Sequence, residues 1–249
     1  MDDRAVKKIK VLLDGYTPEE QRLLFLELRK RYGIHPYEQV VGASAETILE
    51  AIHRAPELTR RMLRGVIADA AFAQEILPTL AESGWLDVTE KGNFAYDYKL
   101  TDNPDDPTAC VTVQVKLQRS EKGQPVIKSG SRFGLPDLVF MTETQRTRGG
   151  TDGENNKTRP YHYGHFDILA VSMQPSGRGW GSYTYTLGRW LVAGKGSTEI
   201  AVMQPVTMAA SEFWTPDFNQ VVAWFRAQDG NGKRMKIAPL VKTKKQPAV

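Results

Sequence analysis

At 249 residues, 41% hydrophobic and 25% charged, the chain has material for one sizeable core, which excludes a disordered or fibrous class. Its single cysteine, Cys110, excludes a disulfide framework and a zinc site built on several thiolates, and reads as a buried strand residue. The opening MDDRAVKKIK lacks the apolar run of a secretory signal and no stretch approaches the roughly 20 apolar residues of a membrane helix, so a soluble, cytoplasmic protein without a membrane partner is expected.

Thr17-Pro18-Glu19-Glu20 supplies a capping residue, a proline at the first helical position and a glutamate three residues after the cap. Leu23, Leu24, Phe25, Leu26 and Leu28 then form an apolar face, and Gly33 stops the helix. Ser44 opens a second helix carrying Ile48, Leu49 and Ile52, and Pro56 a third that runs through Met62, Leu63, Val66 and Ile67 toward Leu77. Residues 1–83 therefore read as an N-terminal helical subdomain. Arg60, Arg61 and Arg64 make a basic patch on it, either a solvated face or a contact for a polyanion.

After Gly84 the pattern turns to alternation, with strands expected over Asn93–Leu100 and Cys110–Gln118 as a hairpin-like pair joined by a turn-rich connection. Further strands are expected at Leu138–Met141, Phe166–Met173, Tyr183–Val192 and Glu199–Val206, the Phe166 run being apolar enough to lie inside a sheet. Thr215-Pro216 caps a late helix with Val221, Val222, Trp224 and Phe225. Helices, then a sheet, then a covering helix describe an α/β (α+β) sandwich. Its core is expected over 84–230, with a long polar loop inserted at 142–163 and a basic tail at 231–249. From Arg226 to Val249 there are seven Lys or Arg against Asp229, so the tail reads as a solvated terminus with the charge to touch phosphates.

Alternation along Cys110–Gln118 sets Gln114, Lys116 and Gln118 on one face and Val113, Val115 and Leu117 on the other, buried, one. Asp97, in AYDYK on the preceding strand, comes beside Gln114 and Lys116 if the two strands pair antiparallel. Hydrolysis of a phosphodiester needs a cation against the charge developing on phosphate, an activated water, and a positive group beside that water. Asp97 suits Mg²⁺ ligation, Gln114 offers its amide oxygen or yields to a neighbouring carbonyl, and Lys116 orients the water.

At these residues the chain resembles the PD-(D/E)xK nuclease superfamily, type II restriction endonucleases among them, with an acid on one strand and Gln114-Val115-Lys116 on the next. Glutamine in place of the middle acid is similar to the QxK variant of Mrr-like and modification-dependent enzymes, FDILAV looks like the central strand of that fold, and Tyr96 stands where a proline usually precedes the acid. The resemblance spans about residues 70 to 230 and implies a restriction-endonuclease-like core, a central mixed β-sheet flanked by helices. It implies an acid from the preceding helix, for which Glu75 in AFAQEIL is the candidate and Glu82 the second. With one carboxylate fewer, Asp97 and Lys116 nearly cancel, so the metal is held weakly until DNA phosphate completes the site.

A competing acid pattern from Pro136-Asp137 to Glu143-Thr144-Gln145 is cramped and lacks lysine. Thr144, Gln145, Arg146 and Arg148 read instead as a recognition loop for base edges, which Lys157, Arg159 and His162 join or extend to phosphates. An ordinary surface loop is the alternative reading for each. His162-Tyr163-Gly164-His165 lacks a further His or Cys close in sequence, so a metal pair is not expected there.

The resemblance implies cleavage of double-stranded DNA at a short sequence by a homodimer, with Mg²⁺ as cofactor and a separate methyltransferase to protect host DNA. Two alternatives stand beside it, an Mrr-like enzyme that requires modified bases and a DNA-binding module on a decayed nuclease fold.

Overall fold

The structure, a computed structural model, describes residues 3–32, 36–135, 138–146, 159–228 and 232–237. The chain divides after Arg60 into two compact units, residues 1–60 and 61–249.

The first unit holds α1 (Asp3–Asp14), α2 (Pro18–Tyr32), α3 (Pro36–Val41) and α4 (Ala45–Arg54). The expected capping box forms: the Thr17 backbone N–H donates to Glu20 Oε2 at 2.8 Å, and the Glu20 N–H donates back to Thr17 Oγ1 at 3.3 Å. Ser44 caps α4 by accepting from the Thr47 N–H. Leu23, Phe25, Leu26 and Leu28 of the apolar stripe are exposed, and no side chain described in this unit is buried. Gly33, the expected stop, lies outside the described residues.

In the second unit α5 (Glu57–Ala71) continues from the first, but the pattern toward Leu77 is interrupted by one wide π turn over Phe72–Ile76 before α6 (Leu77–Glu82). Among the described residues the strands before residue 190 are β1 (Leu86–Asp87), β2 (Tyr98–Thr101), β3 (Val111–Leu117), β4 (Ser120–Glu121), β5 (Gln124–Pro125), β6 (Ile127–Ser129), β7 (Leu138–Glu143), β8 (Ile168–Ser172) and β9 (Tyr183–Leu187). Then follow β10 (Met203–Val206) and α7 (Phe218–Arg226). Asp217, not Thr215, caps α7, its carboxylate accepting from the N–H groups of Asn219 and Gln220. Thr215 is held back by paired backbone bonds to Tyr185.

The main sheet has the order β1-β2-β3-β8-β9 and is mixed, since β3 and β8 run parallel while every other neighbouring pair is antiparallel. The expected pair β2–β3 forms with Tyr98 opposite Val113. All five residues of β8 are buried, as an interior strand flanked on both sides demands. Cys110 lies just ahead of β3, half-buried rather than in the strand. Residues opposite one another in the ladders share a face, so Tyr98, Val113, Val115, Ala170, Tyr183 and Tyr185 line one side. On it Phe72 stacks on Tyr98 at 5.1 Å and meets Tyr183 edge-on at 5.2 Å, while Phe218 of α7 meets Tyr185 edge-on at 5.5 Å. The helices thus cover this face. Gln114, Lys116, Leu169 and Val171 belong to the opposite face.

A parallel pair needs a long crossover, commonly a helix. Here the described residues between β3 and β8 include strands: the β4–β5 hairpin turns at Lys122 and Gly123, both at positive φ, and β7 pairs with β6 and β10 in a second, antiparallel sheet. Residues 232–237, the start of the expected solvated tail, instead pack on the body. Met235 is buried, and Arg234 lies 4.0 Å from the Tyr163 ring centroid. Residues 229–231 and 238–249 lie outside the described residues.

Candidate active site

The sequence trio meets where β2 and β3 part. Asp97 stands one residue before β2, its N–H donating to the Val113 carbonyl at 2.9 Å, and there the ladder ends. Beyond that point the Asp97 carboxylate takes the place of a strand: Oδ2 accepts from the Val115 N–H at 2.7 Å and from Gln114 Nε2. Gln114 Nε2 donates also to the Val115 carbonyl at 3.1 Å, and its Oε1 accepts from the Tyr161 hydroxyl at 3.0 Å. Lys116 Nζ donates to the same Val115 carbonyl at 3.1 Å and lies 5.3 Å from the Tyr161 ring centroid, with the Arg146 guanidinium 6.0 Å from that centroid.

The polar face of β3 is not the open surface that alternation alone suggests, because Gln114 is only 2% exposed and Gln118 1%. Burial accordingly dominates the titration of the charged pair. It raises the Asp97 carboxyl above its ordinary value, against the opposing pull of Lys116 and the Val115 N–H. The Lys116 ammonium is lowered by the same cause, against the attraction of Asp97 and Asp69. Burial thus pushes the acid and the base toward each other within one fork.

Asp69 was not singled out by the sequence, yet its charge acts on both Asp97 and Lys116, and it accepts from the Tyr98 hydroxyl at 2.9 Å. Glu75, the expected helix acid, lies six residues on, within the π turn, exposed beside Gly181. Glu82 is exposed at the end of α6. Tyr161 is the other residue missed: it lies in the polar stretch, 4% exposed, edge-on to Phe166 at 5.3 Å and to His165 at 6.3 Å.

The expected recognition residues separate. Thr144 is buried with its hydroxyl donating to the Ala201 carbonyl at 2.8 Å, so it anchors the loop and has no free group for a base. Gln145 is half-buried and turns toward Glu143 at 3.4 Å. Arg146 faces Tyr161, inside the site rather than out on a reading surface. Arg159 is exposed, and His162 is half-buried against Thr198 at 2.9 Å and His165. Burial, His162 and Arg146 together lower the His165 imidazole. Arg148, Lys157 and the competing Pro136-Asp137 lie outside the described residues. Of the basic helical patch, Arg60 pairs with Glu57 at 3.1 Å and Arg64 donates to Ser120 at 3.0 Å.

Among the described residues no three His, Cys, Asp or Glu side chains gather to hold a metal ion, and no helix is long and apolar enough to cross a membrane. The donors at the fork are nonetheless hard oxygens, those of Asp97, of the Val115 carbonyl and of the Gln114 amide once turned, and such a set suits Mg²⁺. No family model, curated protein or solved structure matches this chain.

Proposed function

We propose that this protein is a Mg²⁺-dependent endonuclease of the PD-(D/E)xK kind that hydrolyses phosphodiester bonds of double-stranded DNA at a short sequence. The observation that carries the reading is the fork itself, where one carboxylate, one amide and one lysine converge on the Val115 peptide group. Asp97, the Val115 carbonyl and Gln114 would hold the cation. Bound there, a divalent cation offsets charge on the phosphate and makes its water more acidic.

The chain's own groups do the rest. Lys116 lies beside these donors with its charge weakly solvated, and it holds the attacking water and the phosphate oxygen that gains charge. Arg146, across the Tyr161 ring, binds the neighbouring phosphate. Water oxygen bonds to phosphorus, the bond to the leaving sugar oxygen breaks, and that oxygen takes a proton. A palindromic target calls for a second copy of the chain, one per strand, and protection of host DNA calls for a separate methyltransferase.

A second reading, a binding module on a decayed nuclease fold, is favoured by one detail: Gln114 turns its nitrogen, not its oxygen, toward Asp97. Phage DNA, unmethylated and methylated, incubated with Mg²⁺ separates the readings. Discrete fragments from unmethylated DNA support a restriction enzyme and fragments from methylated DNA alone an Mrr-like one. Salt-dependent binding without cutting of either supports the module.

A further inference from the structure

Gln114 is buried with each polar atom engaged, its Nε2 facing two acceptors, Asp97 and the Val115 carbonyl, and its Oε1 facing one donor, the Tyr161 hydroxyl. Those partners fix the amide's orientation, since the reverse would set Oε1 against two other acceptors. The amide N–H groups therefore engage the same oxygens that a hard cation requires. A phenol is a better donor than acceptor, because its ring draws on the oxygen lone pair. The Tyr161 hydroxyl donates to Gln114 Oε1 at 3.0 Å, and its ring meets both Phe166 and His165 edge-on.

We propose that Tyr161 is a positioning residue which, by donating to Gln114 Oε1, holds the amide nitrogen toward Asp97, so that a divalent cation binds only by breaking this hydrogen bond and turning the amide. The inference rests on the reading of the fork as a cation site. Losing one hydrogen bond of ordinary net strength corresponds to a roughly 2- to 12-fold change in affinity. Tyr161→Phe should therefore tighten cation binding, where a merely structural tyrosine would leave it unchanged or weaken it.

The test is calorimetric titration of Mn²⁺ alone into the full chain as wild type, Tyr161→Phe, Gln114→Glu and the double variant. Tyr161→Phe should bind about 2- to 12-fold more tightly. In the Gln114→Glu background the same change should alter affinity by less than about twofold, since a carboxylate has two like oxygens and nothing to turn. If wild type and Gln114→Glu bind Mn²⁺ but Tyr161→Phe binds no more tightly than wild type, the role of Tyr161 is overturned and the cation site stands. If neither wild type nor Gln114→Glu binds Mn²⁺, the cation site falls and the inference with it. Should Tyr161→Phe lose its near-ultraviolet circular dichroism, wild type decides through the Gln114 side-chain amide resonances, identified by their loss in Gln114→Glu. A large shift on adding Mg²⁺ is expected, and resonances that stay in place while Mg²⁺ binds overturn the proposal.

Discussion

Replacing Asp97 by alanine removes the acceptor that closes the fork, and the two groups it served fare differently. Gln114 Nε2 keeps the Val115 carbonyl, whereas the Val115 N–H loses Oδ2. An unsatisfied buried donor costs about 1–3 kcal/mol, which is the destabilisation expected of Asp97→Ala. Asp97→Asn leaves an oxygen in the same place and removes a charge that burial disfavours, so at neutral pH it should be within about 1 kcal/mol of wild type or more stable.

The sign of the pH dependence follows from the raised carboxyl. Between the ordinary value of 3.8 and the raised folded one, the unfolded chain has lost a proton that the folded chain keeps. Stability then falls as pH rises through that window, in wild type but not in Asp97→Asn. Asp97→Asn should gain on wild type from pH 4 to neutrality. Urea unfolding followed by tryptophan fluorescence measures this, since all five tryptophans lie in residues 61–249. An alanine variant as stable as the asparagine one at pH 7, or a wild type that gains on Asp97→Asn as pH rises, would refute the account of the fork.

Three further outcomes are expected. A Cβ at Gly188 would stand 2.5 Å from the Phe166 backbone oxygen, so Gly188→Ala should cost about 1–3 kcal/mol in the same unfolding assay. Gly181→Ala meets chiefly the flexible end of Glu75 and should cost less than about 0.5 kcal/mol. Arg226 holds Asp102 through two bonds of 2.7 and 2.6 Å on an exposed surface, so Arg226→Ala should cost only about 0.2–1 kcal/mol and leave any cutting unchanged.

What was legible in the sequence was local. The capping residues of α2 and α4 and the apolar run of β8 each act within a few residues, and the structure has them where the pattern sets them, whereas the alternation of β3 sets the faces of Gln114 and Lys116 but not the burial of Gln114. Asp97 and Gln114 were legible as neighbours because one antiparallel pairing decides their distance. Tyr161 reaches Gln114 from 47 residues on, and no periodicity announces that contact. Asp69 was hidden differently. Glu75 was weighed because the resemblance implies an acid from the preceding helix, and nothing local to Asp69 shows that it meets Tyr98, 29 residues further on. The burial of Thr144 was equally illegible, because it depends on the residue 201–202 segment lying alongside the end of β7.

The most direct measurement is cleavage of unmethylated phage DNA in Mg²⁺ by wild type, Asp97→Asn and Lys116→Met, each first shown to be folded and to bind DNA in the absence of metal. The account predicts discrete fragments from wild type, none with chelator, and a loss of at least about 100-fold in both variants. Fragments that persist in either folded variant would contradict it and move the chemistry away from the fork.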